Sequence, residues 1–268
     1  MELKIGIIGA GYVGSAVAEN LSIAFPVHCW DIDSNKRTVD VCADLIKWSD
    51  VIFVCVPTPS KDDGTCDISI VESVVKHIAS ISLSKVVVIK STVPPGTCAT
   101  IGANTGLRTI VFNPEFLTQN NHIQDFRNQD SIIIGADDVR ADSTVTIIYK
   151  EWLSKINRQC NILHTGIREA ELFKYVANSF LATKVIFNNE MSYLCTKAGI
   201  NYSEIARLGK LDKRLGNSHW DVPGPDGKPG FGGACFPKDV SAIIEFAKQN
   251  DAPLELLSNV QDINKFLR

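Results

Sequence analysis

The chain has 268 residues, a hydrophobic content of 45% and a formal net charge of −3 at pH 7. A chain of this length and composition can bury a substantial core, and its small net charge gives no electrostatic attraction toward nucleic acid. No apolar run is long enough to cross a bilayer, so we expect a soluble cytoplasmic protein without a membrane partner. The eight cysteines show no metal-ligand spacing, which favours reduced thiols and no metal site.

Short apolar runs alternate with helical segments through the first part of the chain. This alternation predicts an α/β domain with a doubly wound, mostly parallel sheet. Strands are expected near residues 3–8, 27–31, 51–56, 85–90, 109–112, 131–135 and 160–164. From residue 166 onward the strand signals stop, which indicates an all-helical domain with one long loop at residues 215–233. We therefore place one domain at residues 1–165 and a second at residues 166–268.

The first predicted strand leads into Gly9, Gly11 and Gly14, the glycine spacing of a dinucleotide-binding turn. The first glycine permits the tight turn, the second lets the backbone approach a pyrophosphate, and the third lets the next helix pack closely. The second strand ends in Asp31, where a carboxylate can bind the ribose 2′-hydroxyl and so favours NAD over NADP. These features predict a Rossmann-type domain that binds NAD.

Five further residues are assigned to the cofactor site: Tyr12, Val13, Lys36, Thr58 and Thr92. Two interpretations of Lys36 stay open. It lies close enough to Asp31 to complicate the preference for NAD, but a solvated lysine on the surface is an equally good interpretation.

Residues 230–239 place Cys235 in a glycine-rich loop at the start of a predicted helix. Pro237 suits the first helical position, and apolar residues at helical spacing follow it. The N–H groups of the helix start and the neighbouring Lys238 favour a thiolate, which makes Cys235 a candidate nucleophile. The alternative is a small buried hydrophobe, the usual role of an unpaired cysteine. The flanking glycines and the helix start favour the nucleophile.

Other candidate residues follow predicted strands or share a helix face. Thr92 comes at the carboxyl end of a strand, where open α/β sheets bind ligands. Glu115 follows another strand, where burial would raise its pKa toward that of a general base; alternatively, it complements the dipole at a helix start. Lys174 and Asn178 are four residues apart and share a helix face, although each taken singly also suits an exposed position.

Six motifs, in order along the chain, resemble those of the UDP-glucose/GDP-mannose dehydrogenase family. They lie at residues 9–14, 91–94, 113–117, 171–178, 212–216 and 230–239. The resemblance implies that the C6 alcohol of a nucleotide sugar is oxidised to a carboxylate, with two NAD and one water consumed. UDP-glucose, giving UDP-glucuronate for polysaccharide biosynthesis, is the first choice of substrate.

The same resemblance implies a role for each candidate residue. Cys235 would hold the substrate as a thiohemiacetal and then as a thioester. Lys174 and Asn178 would steady the oxyanion, Glu115 would be the base toward water, Thr92 would help hold that water, and Asp239 would orient the site. The implied substrate-binding residues are Glu115, Phe116, Leu117, Lys174, Asn178, Arg214, Phe231, Gly232 and Gly233. Arg214 matches an arginine that reaches into the neighbouring subunit's site, so we expect a homodimer or a larger homo-oligomer.

The chain departs from the family pattern at several points. It ends about thirty residues after Cys235, whereas family members continue into a second α/β domain. The segment at residues 31–51 is shorter than usual, which affects the adenosine side of the cofactor. Gln119 stands where the family has a second glutamate, and an amide cannot act as a base. Residues 222–229 lengthen the loop before the thiol, and we interpret them as a substrate lid.

Two alternative functions remain open. A two-electron dehydrogenase of the 3-hydroxy-acid type shares a Rossmann domain and a catalytic lysine but needs no thiol, so residues 230–239 count against it. A non-catalytic nucleotide-binding protein derived from the family would not need the full set of candidate catalytic residues, which this chain retains.

Overall fold

The computed structural model describes residues 2–268, which divide into two compact units. The first unit runs to Pro59 and resumes at Asp67–Lys174, and the second comprises Ser60–Cys66 and Tyr175–Arg268. The domain boundary near residue 166 stays a prediction.

Within residues 2–268, seven strands form one sheet in the spatial order β2-β1-β3-β4-β5-β6-β7. The strands are β1 (Ile5–Ile8), β2 (Val27–Trp30), β3 (Val51–Val54), β4 (Val86–Ile89), β5 (Ile110–Phe112), β6 (Ser131–Ala136) and β7 (Asn161–Thr165). Each overlaps a predicted strand. Neighbouring strands pair in parallel except β5 and β6, which pair antiparallel. The predicted mostly parallel sheet is confirmed.

Helices cover both faces of this sheet. They are α1 (Tyr12–Leu21), α2 (Cys42–Trp48), α3 (Ser69–Ile81), α4 (Thr97–Thr105), α5 (His122–Asn128) and α6 (Val139–Lys155). The central strands are apolar throughout, so alternate side chains enter two separate cores. Ile7 and Phe53 pack in the core with α1, α5 and α6, whereas Ile52 and Val54 pack in the core with α2, α3 and α4. This is the doubly wound arrangement.

The chain after β7 is helical, as predicted. Its helices are α7 (Ile167–Ala198), α8 (Tyr202–Leu211), α9 (Phe236–Gln249) and α10 (Glu255–Leu267). The core of the second unit joins α7, α9 and α10 through Ile186, Ile244 and Val260, together with Phe231 from the loop before α9. The long helix α7 begins in the first unit and continues into the second.

The turn between β1 and α1 needs its glycines for different reasons. Gly9 has a φ of +92°, and a Cβ there would lie 2.8 Å from the carbonyl group of Cys55. A Cβ on Gly14 would lie 1.8 Å from the carbonyl oxygen of Gly9, a distance that only a shift of the backbone could relieve. A Cβ on Gly11 would meet no atom within 4 Å. The fold therefore requires Gly9 and Gly14, whereas the open side of Gly11 is available to a ligand.

We predict that Gly14→Ala destabilises the protein by at least about 3 kcal/mol, because the new methyl group overlaps the turn backbone. Gly11→Ala is the matched control, and it should change the free energy of unfolding by less than about 1 kcal/mol, since its methyl group enters open space. Urea unfolding followed by circular dichroism measures both. Equal losses in the two variants would contradict this assignment of the turn.

Candidate active site

Asp31 closes the β1–α1 turn from the end of β2. Its Oδ2 accepts a hydrogen bond from the backbone N–H of Ala10 at 2.6 Å, and its Oδ1 accepts one from the N–H of Asp33 at 2.9 Å. The carboxylate is thereby held beside the open face of Gly11. A fixed acid beside a glycine turn that leaves room for a pyrophosphate fits the ribose and phosphates of a dinucleotide.

The other predicted cofactor residues lie in different environments. Thr58 and Thr92 are buried after β3 and β4, and Val13 is half-buried on α1. Tyr12 is exposed, and its hydroxyl accepts a hydrogen bond from Gln119 Nε2 at 2.7 Å. Gln119 therefore contacts α1, directly after the glycine turn.

Lys36 and Arg37 differ in how they relate to Asp31. Lys36 is exposed and pairs with Asp33 at 3.4 Å, a surface ion pair. The Arg37 guanidinium lies 5.1 Å from the ring centre of Trp30, and its Nε donates to the carbonyl oxygen of Asp31 at 2.5 Å. Sequence analysis did not identify Arg37; the aromatic residue before Asp31 was the signal that a guanidinium could stack there.

Glu115 forms a buried ion pair with Lys174. The Nζ of Lys174 lies 3.0 Å from Glu115 Oε1 and also donates to the Glu115 carbonyl oxygen. Glu115 Oε2 accepts from the Leu117 N–H at 2.8 Å. Only 4% of the Lys174 side chain and 11% of the Glu115 side chain are exposed. The interpretation of Lys174 as an exposed surface residue is therefore wrong.

The pKa of Glu115 is lowered, whereas we expected burial to raise it. Burial does act in that direction, but the Lys174 ammonium, the Leu117 N–H and the more distant Lys90 together outweigh it. The expectation considered only the apolar neighbours in sequence and omitted a cation 59 positions away. Near neutral pH Glu115 is an ionised carboxylate, able to accept a proton.

Phe116 completes the surroundings of this pair. Its ring packs edge-to-face against Phe173 with centroids 6.0 Å apart, and the Lys174 Nζ lies 5.0 Å from the centre of the Phe116 ring. Phe116 is 43% exposed, whereas Leu117 is partly buried against the core. Of the two, Phe116 is the one that a substrate can reach.

Glu171 ties the loop after β4 to α7. Its carboxylate accepts hydrogen bonds from the N–H groups of Gly96, at 2.5 Å, and Cys98, at 2.8 Å, and so caps the start of α4. Burial raises the pKa of Glu171, although these hydrogen bonds oppose the shift. The loop that carries Thr92 is therefore anchored one helical turn before Lys174.

Cys235 is exposed and directly precedes α9 in the second unit. Its carbonyl oxygen accepts from the Asp239 N–H at 2.9 Å, which closes the first turn of the helix. We predicted Pro237 at the first position of this helix. The helix begins at Phe236, so Pro237 occupies the second position. The interpretation of Cys235 as a buried hydrophobe is excluded, and a thiolate in this place would face the N–H groups of a 14-residue helix.

Asp239 lies one turn into α9 and is almost fully buried, at 1% exposure. Its Oδ2 accepts from Asn178 Nδ2 at 2.6 Å, and its Oδ1 lies 2.5 Å from the Nζ of Lys238. Asn178 is buried as well, at 5% exposure. The second unit therefore brings Asn178 and Asp239 together at the helix start that follows Cys235.

Two buried asparagines hold the glycine loop before the thiol. Asn264 on α10 forms both hydrogen bonds with the backbone of Phe231, accepting from its N–H at 2.7 Å and donating to its carbonyl at 3.0 Å. Asn189 on α7 accepts from the N–H of Gly230 at 3.0 Å. The sequence offered no signal for these contacts, which join residues 33 and 41 positions apart.

A cavity of about 420 Å³ lies beside this loop in the second unit. Gly232 and Gly233 line it, together with Val185, His219, Asp221, Gly224, Pro225, Asp226, Gly230, Phe231, Phe236 and Arg268. Arg268 pairs with Asp226 at 2.7 Å, which fixes one wall. Burial, with help from nearby Lys184, lowers the pKa of His219, so a neutral imidazole faces the cavity. The cavity thus offers aromatic rings, backbone groups and one paired arginine.

Arg214 lies in the turn after α8. Its side chain is 87% exposed, and its Nη2 lies 2.5 Å from Asp212 Oδ2. The Nζ of Lys184 donates to the carbonyl oxygens of Leu215 at 2.9 Å, Gly216 at 3.2 Å and Ser218 at 2.5 Å. The turn is therefore fastened to α7 while Arg214 points into solvent.

Other classes of site find no support in the part of the chain that the structure describes. No helix there is both long enough and apolar enough to traverse a bilayer. No group of three or more His, Cys, Asp or Glu side chains is arranged there to hold a metal ion. Free thiols there include Cys29, Cys42, Cys55, Cys98, Cys160 and Cys195.

Comparison with known proteins gives a consistent relationship. Residues 37–153 match the NAD binding domain of the UDP-glucose/GDP-mannose dehydrogenase family, and residues 168–266 match its central domain. The chain is 37% identical over 298 residues to UDP-glucose 6-dehydrogenase of Rickettsia prowazekii, an alignment that covers 98% of this chain and 67% of that protein. The chain thus spans about two thirds of the length of this relative.

Solved structures agree. A UDP-glucose dehydrogenase from Pyrobaculum islandicum superimposes with a TM-score of 0.87 at 28% identity, covering 99% of this chain and 68% of that one. The 3-hydroxyisobutyrate dehydrogenase of Mycobacterium tuberculosis, at 18% identity and a TM-score of 0.75, covers 99% of this chain and 94% of that one and shares the fold alone. The resemblance inferred from six motifs is confirmed: the chain belongs to the UDP-glucose/GDP-mannose dehydrogenase family and carries its NAD-binding domain.

Proposed function

We propose that this protein oxidises the C6 alcohol of a nucleotide sugar to a carboxylate, with UDP-glucose as substrate and UDP-glucuronate as product. The observation that carries the proposal is the exposed Cys235 thiol at the start of α9, followed by the buried pair of Asn178 and Asp239. A two-electron alcohol dehydrogenase needs no such thiol, whereas oxidation to the acid needs a group that retains the aldehyde.

Cys235 keeps the aldehyde bound between the two oxidations. Its thiolate adds to the aldehyde carbon to form a carbon–sulfur bond, giving a thiohemiacetal. Loss of a hydride from that carbon leaves a thioester, and attack by water then breaks the carbon–sulfur bond and releases the carboxylate and the thiol. The glycine backbone of the β1–α1 turn and Asp31 would hold NAD, which would accept the hydride in each of the two oxidations.

Lys174 and Asn178 stabilise the oxyanion that forms in these steps. They are four residues apart in the sequence of α7, and each is held by a carboxylate partner within its own unit, Glu115 for Lys174 and Asp239 for Asn178. Donors that are fixed before the reaction stabilise developing charge without reorganisation. Asp239 accepts a hydrogen bond from Asn178 and so orients the Asn178 amide.

Glu115 is the base toward the hydrolytic water, and Thr92 helps to hold that water. Its lowered pKa keeps Glu115 ionised near neutral pH, which a base requires. The ion pair with Lys174 makes the carboxylate a weaker base, so precise placement of the water must contribute much of the rate.

The cavity beside residues 230–233 holds the nucleotide part of the substrate. Its volume of about 420 Å³ lies in the range of small-molecule pockets. Phe231, Gly232 and Gly233 lead from it directly to Cys235 along the chain, so a ligand bound there extends toward the thiol. Residues 222–229 act as a lid over this cavity.

The protein works as a homodimer or a larger homo-oligomer. Apolar side chains on one face of α7 are at least half exposed: Val176, Phe180, Phe187 and Leu194. An exposed apolar stripe of this length is typical of a surface that another protein covers. A second copy accounts also for Arg214, whose exposed guanidinium would reach the partner's substrate site.

We predict that Cys235→Ala lowers steady-state NADH formation from UDP-glucose at least about 1000-fold, because neither covalent intermediate can form. Cys42→Ala, which removes a half-buried thiol from α2, is the control and should retain wild-type turnover. Absorbance of NADH measures both variants. Wild-type turnover by Cys235→Ala would contradict the proposed mechanism.

We predict that two inactive variants restore activity when they share an oligomer. In a mixed dimer of Arg214→Ala and Cys235→Ala chains, one site has an intact thiol and an intact partner arginine. When equal amounts of the two variants are unfolded, mixed and refolded together, about half of the dimers are mixed and each has one intact site. The mixture should therefore recover about a quarter of wild-type turnover. If Arg214 acts within its own chain, every site carries a defect and no activity returns. A monomer in light scattering that turns over at the wild-type rate would equally exclude a shared site.

A further inference from the structure

Lys90 is a buried cation that no proposed step uses. It directly follows β4, and only 3% of the residue is exposed. Its Nζ donates to Asn113 Oδ1 at 2.8 Å and to the Asn113 carbonyl oxygen at 3.2 Å, and it lies 5.8 Å from the ring centre of Phe126. This nitrogen contacts two neutral oxygens and an aromatic ring. The ammonium is therefore buried against neutral groups.

Such a placement is unfavourable for folding. Removing an ammonium from water costs free energy that neutral acceptors recover only in part. Burial accordingly lowers the pKa of Lys90 to about 8. A methionine has a similar length and would fill the same space without this cost. A buried charge at such a position points to a role toward the groups around it.

The first such group is Asn113, whose side chain makes three hydrogen bonds. Its Oδ1 accepts from Lys90 and from the Tyr149 hydroxyl at 2.5 Å, and its Nδ2 donates to the Ile133 carbonyl at 2.6 Å. Asn113 lies two residues before Glu115, at the end of β5. Lys90 thus fixes both the backbone and the side chain of Asn113, the residue at which the segment leading to Glu115 begins.

The second effect is electrostatic. The titratable groups around Lys90 come from four elements: Cys55 after β3, Glu115 after β5, Tyr149 on α6 and Lys174 on α7. Burial raises the pKa of Cys55 to about 12 and also raises the pKa of Tyr149, so both are neutral near pH 7. Glu115 is the acidic group of this set that is ionised near pH 7. Lys174 contacts Glu115 directly, and the more distant Lys90 also lowers the Glu115 pKa.

We propose that Lys90 is a positioning residue for Glu115: through Asn113 it sets the start of the Glu115 segment, and its charge favours the ionised form of the Glu115 carboxylate. The catalytic consequence rests on the proposed function, in which Glu115 is the base toward water. The electrostatic part does not depend on any activity and can be measured in the free protein.

The direct test is a titration of the Glu115 carboxyl carbon by NMR in protein labelled with ¹³C at glutamate Cδ. The resonance is assigned by its absence in Glu115→Gln. Lys90→Met removes the charge, Lys90→Gln removes the charge but keeps an amide donor, and Lys90→Arg keeps the charge. Lys85→Met is the matched control, because Lys85 lies at the opposite end of β4 and also donates to backbone carbonyls, those of Lys47 and Ser49.

A cation favours the ionised carboxylate, so its removal must raise the Glu115 pKa. We expect Lys90→Met and Lys90→Gln to shift the titration upward by about 0.5 to 1 pH unit, and Lys90→Arg and Lys85→Met to leave it in place. An unshifted titration in both uncharged variants would overturn the proposal. Failure of both uncharged variants to fold, with Lys90→Arg folded, would make Lys90 a folding residue and overturn it equally.

The same variants separate this inference from the proposed function. If Glu115 is the base, the acid limb of the pH profile of kcat moves upward with the NMR titration in Lys90→Met and stays in place in Lys85→Met. An NMR shift without a shift of that limb would confirm the electrostatic role of Lys90 and reject Glu115 as the base.

Discussion

The buried ion pair between Lys174 and Glu115 is the interaction on which the proposed chemistry depends. Its two charged atoms lie 3.0 Å apart, and both side chains are largely withdrawn from solvent. A buried ion pair of this kind adds little net stability, but the loss of either partner leaves an uncompensated charge in the interior. Lys174 also holds the Glu115 backbone carbonyl, so the same contact fixes the loop after β5.

Helix α7 contributes polar contacts to each of the two units. Lys174 engages Glu115 in the first unit, and Asn178, one turn later, engages Asp239 in the second. The four-residue spacing places both donors on one face of the helix. Glu171, three residues before Lys174, anchors the start of α4 in the same way. Residues of one helix therefore hold Glu115 within the first unit and Asp239 within the second.

Much of the fold could be predicted from the sequence because its signals are local. The fully apolar runs of β1, β3 and β4 identify central parallel strands, and the glycine spacing at Gly9, Gly11 and Gly14 identifies the turn. The start of α9 at Phe236 was predicted to within one residue, from the glycines before Cys235 and the apolar spacing after it. The antiparallel pairing of β6 was not predicted, since a short apolar strand carries no record of its direction.

The environments of the site residues were predicted less well, because they depend on residues far apart in the sequence. The sign of the Glu115 pKa shift follows from Lys174, and the position of Phe231 follows from Asn264 on α10. The environment of Lys90 also depends on a distant residue, since it donates to two oxygens of Asn113, which follows the neighbouring strand β5. The spacing of residues in the sequence can identify candidate site residues, but it does not show which of them are buried in contact with one another.

The central claim is that one site carries out two successive oxidations through Cys235. The most direct measurement is the amount of NADH formed per nucleotide sugar consumed, with excess NAD and limiting UDP-glucose. We expect two NADH per sugar, UDP-glucuronate as the only sugar product and no free aldehyde. One NADH per sugar, with an aldehyde or ketone as the final product, would contradict it and would favour a two-electron dehydrogenase built on the same fold.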